Sequence, residues 1–258
     1  MSEHFIFHGI DNKVGVTMVA LSVAESVAER LPEKRVLFLA LNGRESMDYV
    51  REGAESIDAL KSRLESRLLG EDELIAHCLR LKNLSVLGGI ANEEEERYYM
   101  PEASAFLLDV AGRAFDIIVT DSGSRLDNGL AFGALSYDAN RFLVLTQQET
   151  ALARWEKRKG LYERLGVMPK AYILNNYIEK DIYPADYVAR RFAEDGRRFY
   201  CVRFVQGGRQ AEIERKSLWA GAADGFTGDI AALAGALTGG DAGEFAPRKR
   251  RRPWKSFI

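Results

Sequence analysis

Ile10-Asp11-Asn12-Lys13-Val14-Gly15-Val16-Thr17-Met18 is the stretch that decides the fold. It follows a strand-like apolar run, Phe5-Ile6-Phe7-His8, and opens directly into a helical pattern from Val16 to Arg30. In that pattern Val19, Ala20, Val23 and Val27 recur at helical spacing, with Glu25, Glu29 and Arg30 on the other side. Strand, loop and helix in that order are the setting of a phosphate-binding loop. Such a loop carries a lysine directly after its last glycine, and here that residue is Val16. The stretch therefore predicts where an anion would sit and leaves open what chemistry survives there.

Working outward, strand-like and helix-like segments alternate along the chain. Arg35 to Leu41 is a continuous apolar run, as expected of a strand buried on both faces of a parallel sheet. Helices are predicted over Ser56–Leu69 and Glu71–Leu81, and a short strand over Leu84–Gly89. Further along come helix Glu102–Ala114, strand Phe115–Asp121, helix Leu130–Asp138, strand Arg141–Thr146 and helix Glu149–Leu165. Strand Lys170–Asn176, helix Pro184–Asp195, strand Tyr200–Phe204 and helix Gly225–Leu237 complete the series. The alternation implies an α/β fold, a doubly wound and mostly parallel sheet with helices on both faces. A single domain is expected over residues 1–237. Thr238-Gly239-Gly240-Asp241-Ala242-Gly243 opens a flexible linker and basic tail over 238–258.

The 258 residues provide ample length for a buried core, and the composition is that of a globular chain. No apolar run suggests a membrane-spanning helix, and the N-terminus lacks a secretory pattern, so a cytoplasmic location is expected. Cys78 and Cys201 match no metal or redox spacing and are expected as buried, reduced thiols. Net charge is −2, but the tail Arg248–Ile258 holds six cations and no acid. Without them, 30 basic residues face 38 acidic ones, which argues against a body that coats nucleic acid. The acidic run Glu93-Glu94-Glu95-Glu96 is expected as a solvated loop face or a surface for a partner. His4, His8 and His77 form no metal set, and His8 is expected merely to end its strand.

In an open parallel sheet, ligands bind beyond the carboxyl ends of the strands. Those ends bring together Asp11 to Thr17, Asn42, Asp121, Thr146 with Gln147, and Asn175 with Asn176. Thr17 is placed either to cap its helix or to ligate Mg²⁺, and Asp121 to hold a Mg²⁺-bound water.

Taken together, these residues resemble the MinD/ParA group of deviant P-loop ATPases (SIMIBI class), and within it the TadZ/CpaE-like proteins of pilus assembly. The group's loop reads K-G-G-V-G-K-T-T. Asp11 falls on its signature lysine, Asn12 and Lys13 on two glycines, and Val16 on the second lysine, so the loop is degenerate. Val14 and Gly15 match, and Thr17-Met18 stand for the threonines. The group's D-x-D appears as Ala40-Leu41-Asn42, while Phe115-Asp116-Ile117-Ile118-Val119-Thr120-Asp121 is similar to F-D-x-I-I-x-D. Ile173-Leu174-Asn175-Asn176 resembles the strand whose Asn contacts adenine, here Asn175.

The resemblance implies a nucleotide site at Asn12, Lys13, Val14, Gly15, Val16, Thr17, Met18 and Asn175, with Thr17 and, through water, Asp121 at the metal. It implies ATP or ADP and Mg²⁺ as weak ligands, and a homodimer paired across that site. The leading expectation is a localisation or assembly scaffold of a pilus or secretion system, with weak or no ATP hydrolysis. The alternative is an active Mg²⁺-dependent ATPase of the partitioning or division type, with Lys13 standing in for the lost lysines. For the tail, three readings stay open. It is a disordered solubilising end, a contact with an anionic membrane that makes the protein peripheral to the inner face, or a site for an acidic protein or nucleic acid.

Overall fold

The computed structural model describes residues 2–239 apart from 51–52, 193–196 and 222. The expected linker beyond Gly239 and the basic tail lie outside the described residues.

Eight strands form one sheet in the order β3-β4-β2-β5-β1-β6-β7-β8. They span Glu3–Gly9 (β1), Val36–Ala40 (β2), Leu79–Leu81 (β3), Leu84–Leu87 (β4), Ile117–Asp121 (β5), Asn140–Leu145 (β6), Ala171–Tyr177 (β7) and Arg198–Arg203 (β8). All pairings are parallel except the short hairpin of β3 on β4. Strands β2 and β5 are buried along their whole length, which is why β2 reads as an unbroken apolar run and β5 as an apolar run up to Thr120 and Asp121.

The helices are Val16–Arg30 (α1), Lys61–Glu65 (α2), Glu71–Ala76 (α3), Pro101–Ala114 (α4), Gly129–Ser136 (α5), Glu149–Arg164 (α6), Ala185–Phe192 (α7), Gly208–Glu214 (α8) and Phe226–Leu237 (α9). Helix α1 lies across β2 and β5 and packs on α9, so most of its residues are buried. Its C-terminal carbonyls are satisfied from outside, the Asn83 amide donating to Ala28 and Leu31 at 2.9 and 3.1 Å. On the other face α4 packs against α5 and α3. Among the described residues no helix is long and apolar enough to cross a membrane.

Three expectations need correction. The second predicted helix ends at Ala76, and Leu79–Leu81 forms the antiparallel edge strand β3 instead of a helical end. The first is shorter than Ser56–Leu69: a 3-10 turn over Ile57–Leu60 runs into α2. Both thiols are free, but they are half-buried rather than buried. Helix α8 was not foreseen: only Ala211 in it is buried, so it carries almost no apolar periodicity. The last residues of the predicted helix Pro184–Asp195 fall outside the described residues.

The topology places the site. From β1 the chain builds β2, β4 and β3 on one side, returns to β5 beside β1, then builds β6, β7 and β8 on the other side. The loops after β1 and β5 therefore diverge at the reversal of winding, where a crevice opens at the carboxyl ends.

Candidate functional site

The loop after β1 is fastened at its entrance by its neighbours: the Gly9 N–H donates to the Gly123 carbonyl at 2.6 Å and the Ile10 N–H to Val144 at 3.0 Å. Val14 and Val16 are buried, and their methyls lie 2.8 and 2.7 Å from where a Cβ on Gly9 would be, so only glycine fits there. Lys13 and Gly15 both take left-handed backbone, φ 62° and 86°. For Gly15 this is free, and an added Cβ would stand 2.4 Å from the Asn175 amide nitrogen. For Lys13 it costs of order 1 kcal/mol. Left-handed residues alternating through a turn aim successive N–H groups into a common concavity, which suits an anion. The first turn of α1 adds its own N–H groups and holds no acidic side chain.

Thr17 does not cap α1; the N-cap position is Gly15 and no side chain caps the helix. Instead, the Thr17 hydroxyl donates to Asp121 Oδ2 at 2.5 Å. The Asn42 amide donates to the same oxygen at 2.9 Å, and the Gly123 N–H to Asp121 Oδ1 at 2.8 Å. Asp121 is fully buried, and desolvation pushes its carboxyl above the ordinary range, against the pull of these hydrogen bonds. One oxygen-rich point thus joins the loop after β1 to the ends of β2 and β5.

Asn175 lies beneath the loop rather than beside a cavity: it is 4 % exposed and its amide donates to the Val14 carbonyl at 2.8 Å. Its neighbour Asn176, left-handed at φ 54°, lines a cavity of about 740 Å³ together with Lys13, Thr146, Gln147, Ile178 and Phe204. Gln147 is fully engaged, donating to Ile178 and Tyr183 carbonyls and accepting from the Ile178 N–H. Thr146 is buried, and its hydroxyl has no partner among the described residues. A second cavity, about 320 Å³, lies toward Thr17, Asn42, Arg44 and Arg125. Asp11, Asn12 and Lys13 wall both. Met18 lines the second cavity as well, and its sulfur accepts from the Leu218 N–H at 3.2 Å.

Two features were not visible in the sequence. His8 is wholly buried between Ser122, 3.2 Å from Nδ1, and Tyr162, 2.9 Å from Nε2. The Ser122 hydroxyl donates its proton to the Phe7 carbonyl at 3.0 Å, so it accepts from Nδ1–H, and Nε2 accepts from Tyr162. Burial drives the imidazole down to about 4, so it is neutral near pH 7. The second feature is an ion pair between Asp11 and Arg154 of α6. Both pairings join residues more than a hundred positions apart, beyond the reach of any local pattern.

A glycine-hinged loop runs into a helix N-terminus, with a hydroxyl and a carboxylate meeting at its rim, at the carboxyl end of a doubly wound α/β sheet. Among solved structures the fold is that of the MinD and ParA ATPases. The chain aligns with a ParA family ATPase from Chlorobium tepidum TLS at TM-score 0.77 and 16 % identity, covering 90 % of this chain and 97 % of that one. It aligns with the septum site-determining protein MinD complexed with Mg-ADP, from Pyrococcus horikoshii OT3, at TM-score 0.72 and 15 % identity, covering 93 % and 98 %. With the MinC:MinD cell division protein complex of Aquifex aeolicus the figures are 0.70 and 15 %, over 99 % of both chains. The sequence matches no protein-family model and no curated protein.

Proposed function

We propose that this chain is a localisation or assembly scaffold built on the MinD/ParA ATPase fold, which binds a nucleotide at the loop after β1 and hydrolyses it weakly or not at all. One observation carries the reading. The loop has Lys13 and Gly15 left-handed, a form that suits an anion, while the buried Val16 stands where the resemblance puts a lysine. Backbone N–H groups hold an anion in the ground state, whereas acceleration of phosphoryl transfer depends on added positive charge where charge develops. Retained shape with lost charge favours binding over turnover.

The residues fit the group. Mg²⁺ is held through one or two protein oxygens plus phosphate oxygens and water. Thr17 and Asp121 would supply a hydroxyl and, through water, a carboxylate. Asn12, Lys13, Val14, Gly15, Val16, Thr17 and Met18 would surround the phosphates. The unpaired hydroxyl of Thr146 supports a polar ligand group in the larger cavity. Asn175 would act from beneath, by supporting the loop at Val14. When bound, Mg²⁺ would neutralise phosphate charge.

In this reading the chain through Leu237 acts as one unit in the cytoplasm and pairs with a second copy across the site. Exposed Ile178, Ile182 and Phe204 at the cavity mouth support such a pairing. The resemblance to TadZ/CpaE suggests a pilus or secretion machine as the partner, and residues 248–258 a contact with an anionic membrane. Titrating ATP and ADP with and without Mg²⁺, while following thermal stability and phosphate release, is the test. We expect stabilisation without appreciable release. Turnover that is steady and abolished by Lys13→Ala would overturn the scaffold reading. It would favour the second, an active partitioning or division ATPase, which the intact Thr17–Asp121 contact supports.

A further inference from the structure

The loop has lost the lysine at position 16 and has gained an acid at position 11, so an anion there meets less attraction and more repulsion than backbone donors alone imply. The acid is not left bare. Arg154 of α6 pairs with the Asp11 carboxylate, which also accepts from the Asn12 N–H at 2.7 Å. Asp11 walls both cavities, and Ala151, one turn before Arg154 on α6, lines the larger. The guanidinium is thus fastened to a residue that walls both cavities, and its side chain is 40 % exposed.

Other cations near the loop are placed differently. Arg125 is committed to Asp127 at 3.1 Å and to Glu96 at 3.4 Å. Lys13 and Arg44 are exposed and have no ion pair among the described residues, so each would lose side-chain freedom on meeting a ligand. Arg154 is already ordered, and its planar fork carries five donors, enough to serve a carboxylate and a phosphate together.

We propose that Arg154, held at the loop by Asp11, is the cation that contacts the phosphates of a bound nucleoside di- or triphosphate. It does from α6 part of what a loop lysine would do. Asp11 then has a second consequence: it presents the guanidinium but competes with the ligand for it, which lowers affinity. This rests on the nucleotide reading above.

A double-mutant cycle on the whole chain separates phosphate contact from mere neutralisation of Asp11. ADP and ATP affinities with Mg²⁺ would be measured for wild type, Arg154→Ala, Asp11→Asn and the double variant, with melting temperatures alongside. Loss of a charge-assisted hydrogen bond predicts that Arg154→Ala weakens binding by about tenfold or more. Asp11→Asn is expected to tighten it several-fold, and the double variant to stay several-fold weaker than wild type. If the double variant regains wild-type affinity or exceeds it, Arg154 only neutralises Asp11 and the proposal is overturned. Arg154→Gln, which keeps bulk without charge, serves if the alanine variant does not fold, and Arg154→Lys should recover part of the loss. Wild-type binding indifferent to every Arg154 variant removes the role of Arg154 alone. A wild-type chain that binds neither nucleotide removes the nucleotide reading, and this proposal with it.

Discussion

The loop after β1 and the loop after β5 face each other across the same crevice, yet they are built from different atoms. After β1 the construction rests on backbone, with Lys13 and Gly15 left-handed. After β5 it rests on a side chain, the Asp121 carboxylate, buried and held by three donors. The difference follows from which atoms do the work. An anion nest is made of peptide N–H groups, which any side chain leaves in place if the surroundings enforce the dihedral angles. The polar point at Asp121 is made of side-chain oxygens and has no backbone substitute. His8 joins the two, reaching from β1 to Ser122, the residue after Asp121.

The contrast can be broken most severely at Gly15. Gly15→Ala places a Cβ 2.4 Å from the Asn175 amide in left-handed backbone. We expect a loss of about 3–4 kcal/mol, the sum of the dihedral and overpacking costs. Chemical denaturation would measure it, and a loss below about 1 kcal/mol would mean that the loop is not held as described.

The join is next. His8 has a folded value of about 4, below its unfolded 6.5. Above pH 6.5 the imidazole is neutral in both states and its full contribution is present. Between pH 6.5 and 4 only the unfolded chain takes up a proton, so stability falls by up to ~3 kcal/mol. Glu25, partly buried on α1 beside Ser217, has the opposite sign: burial raises it to about 7. Its contribution is complete below pH 4.5 and is lost as pH rises through 7. The two slopes oppose each other between pH 4.5 and 6.5, so the wild-type profile should be shallow there. Glu25→Gln should expose the His8 slope, and His8→Gln an inverse slope of similar size; identical profiles in all three proteins would refute both assignments.

Val16→Lys places a charge at a buried position. It should weaken the ligand-free fold by about 1–2 kcal/mol, through lost apolar burial and a charge placed among methyl groups. Saturating Mg-ATP should return more stability to this variant than to wild type in a melting experiment. The smallest effect belongs to Lys13→Gly. Relief of the left-handed penalty, less the extra entropy of an unfolded glycine, should stabilise the fold by about 0.5 kcal/mol. Equilibrium unfolding would resolve it, and destabilisation would argue against a strained Lys13.

Much of the framework was legible because burial on both faces leaves a one-letter signature. Strand β2 is an unbroken apolar run, β5 is apolar over Ile117–Val119, and α1 shows helical spacing over the whole of Val16–Arg30. Thr17 and Asp121 were legible as a pair because each sits at the carboxyl end of a readable strand unit. Strand β3 was not: three residues cannot display a period of two, and their pairing with β4 comes from the turn between them. The hydrogen bonds of His8 and the partner of Asp11 were invisible for a different reason. They depend on how α6 lies against β1, which no local window records. Whether Thr17 caps its helix was open in the sequence, and the backbone places Gly15 at the cap instead.

A lysine held in left-handed backbone has a consequence for anyone who would rewrite this protein. The loop's outline is imposed from outside, by Gly123, Val144 and Asn175 gripping its ends. Its letters are therefore exchangeable in a way that those of its supports are not. The loop is an interchangeable cartridge in a fixed housing, and a library that varies positions 11, 12, 13 and 16 over an unchanged body should return folded members with widely different appetites for anions.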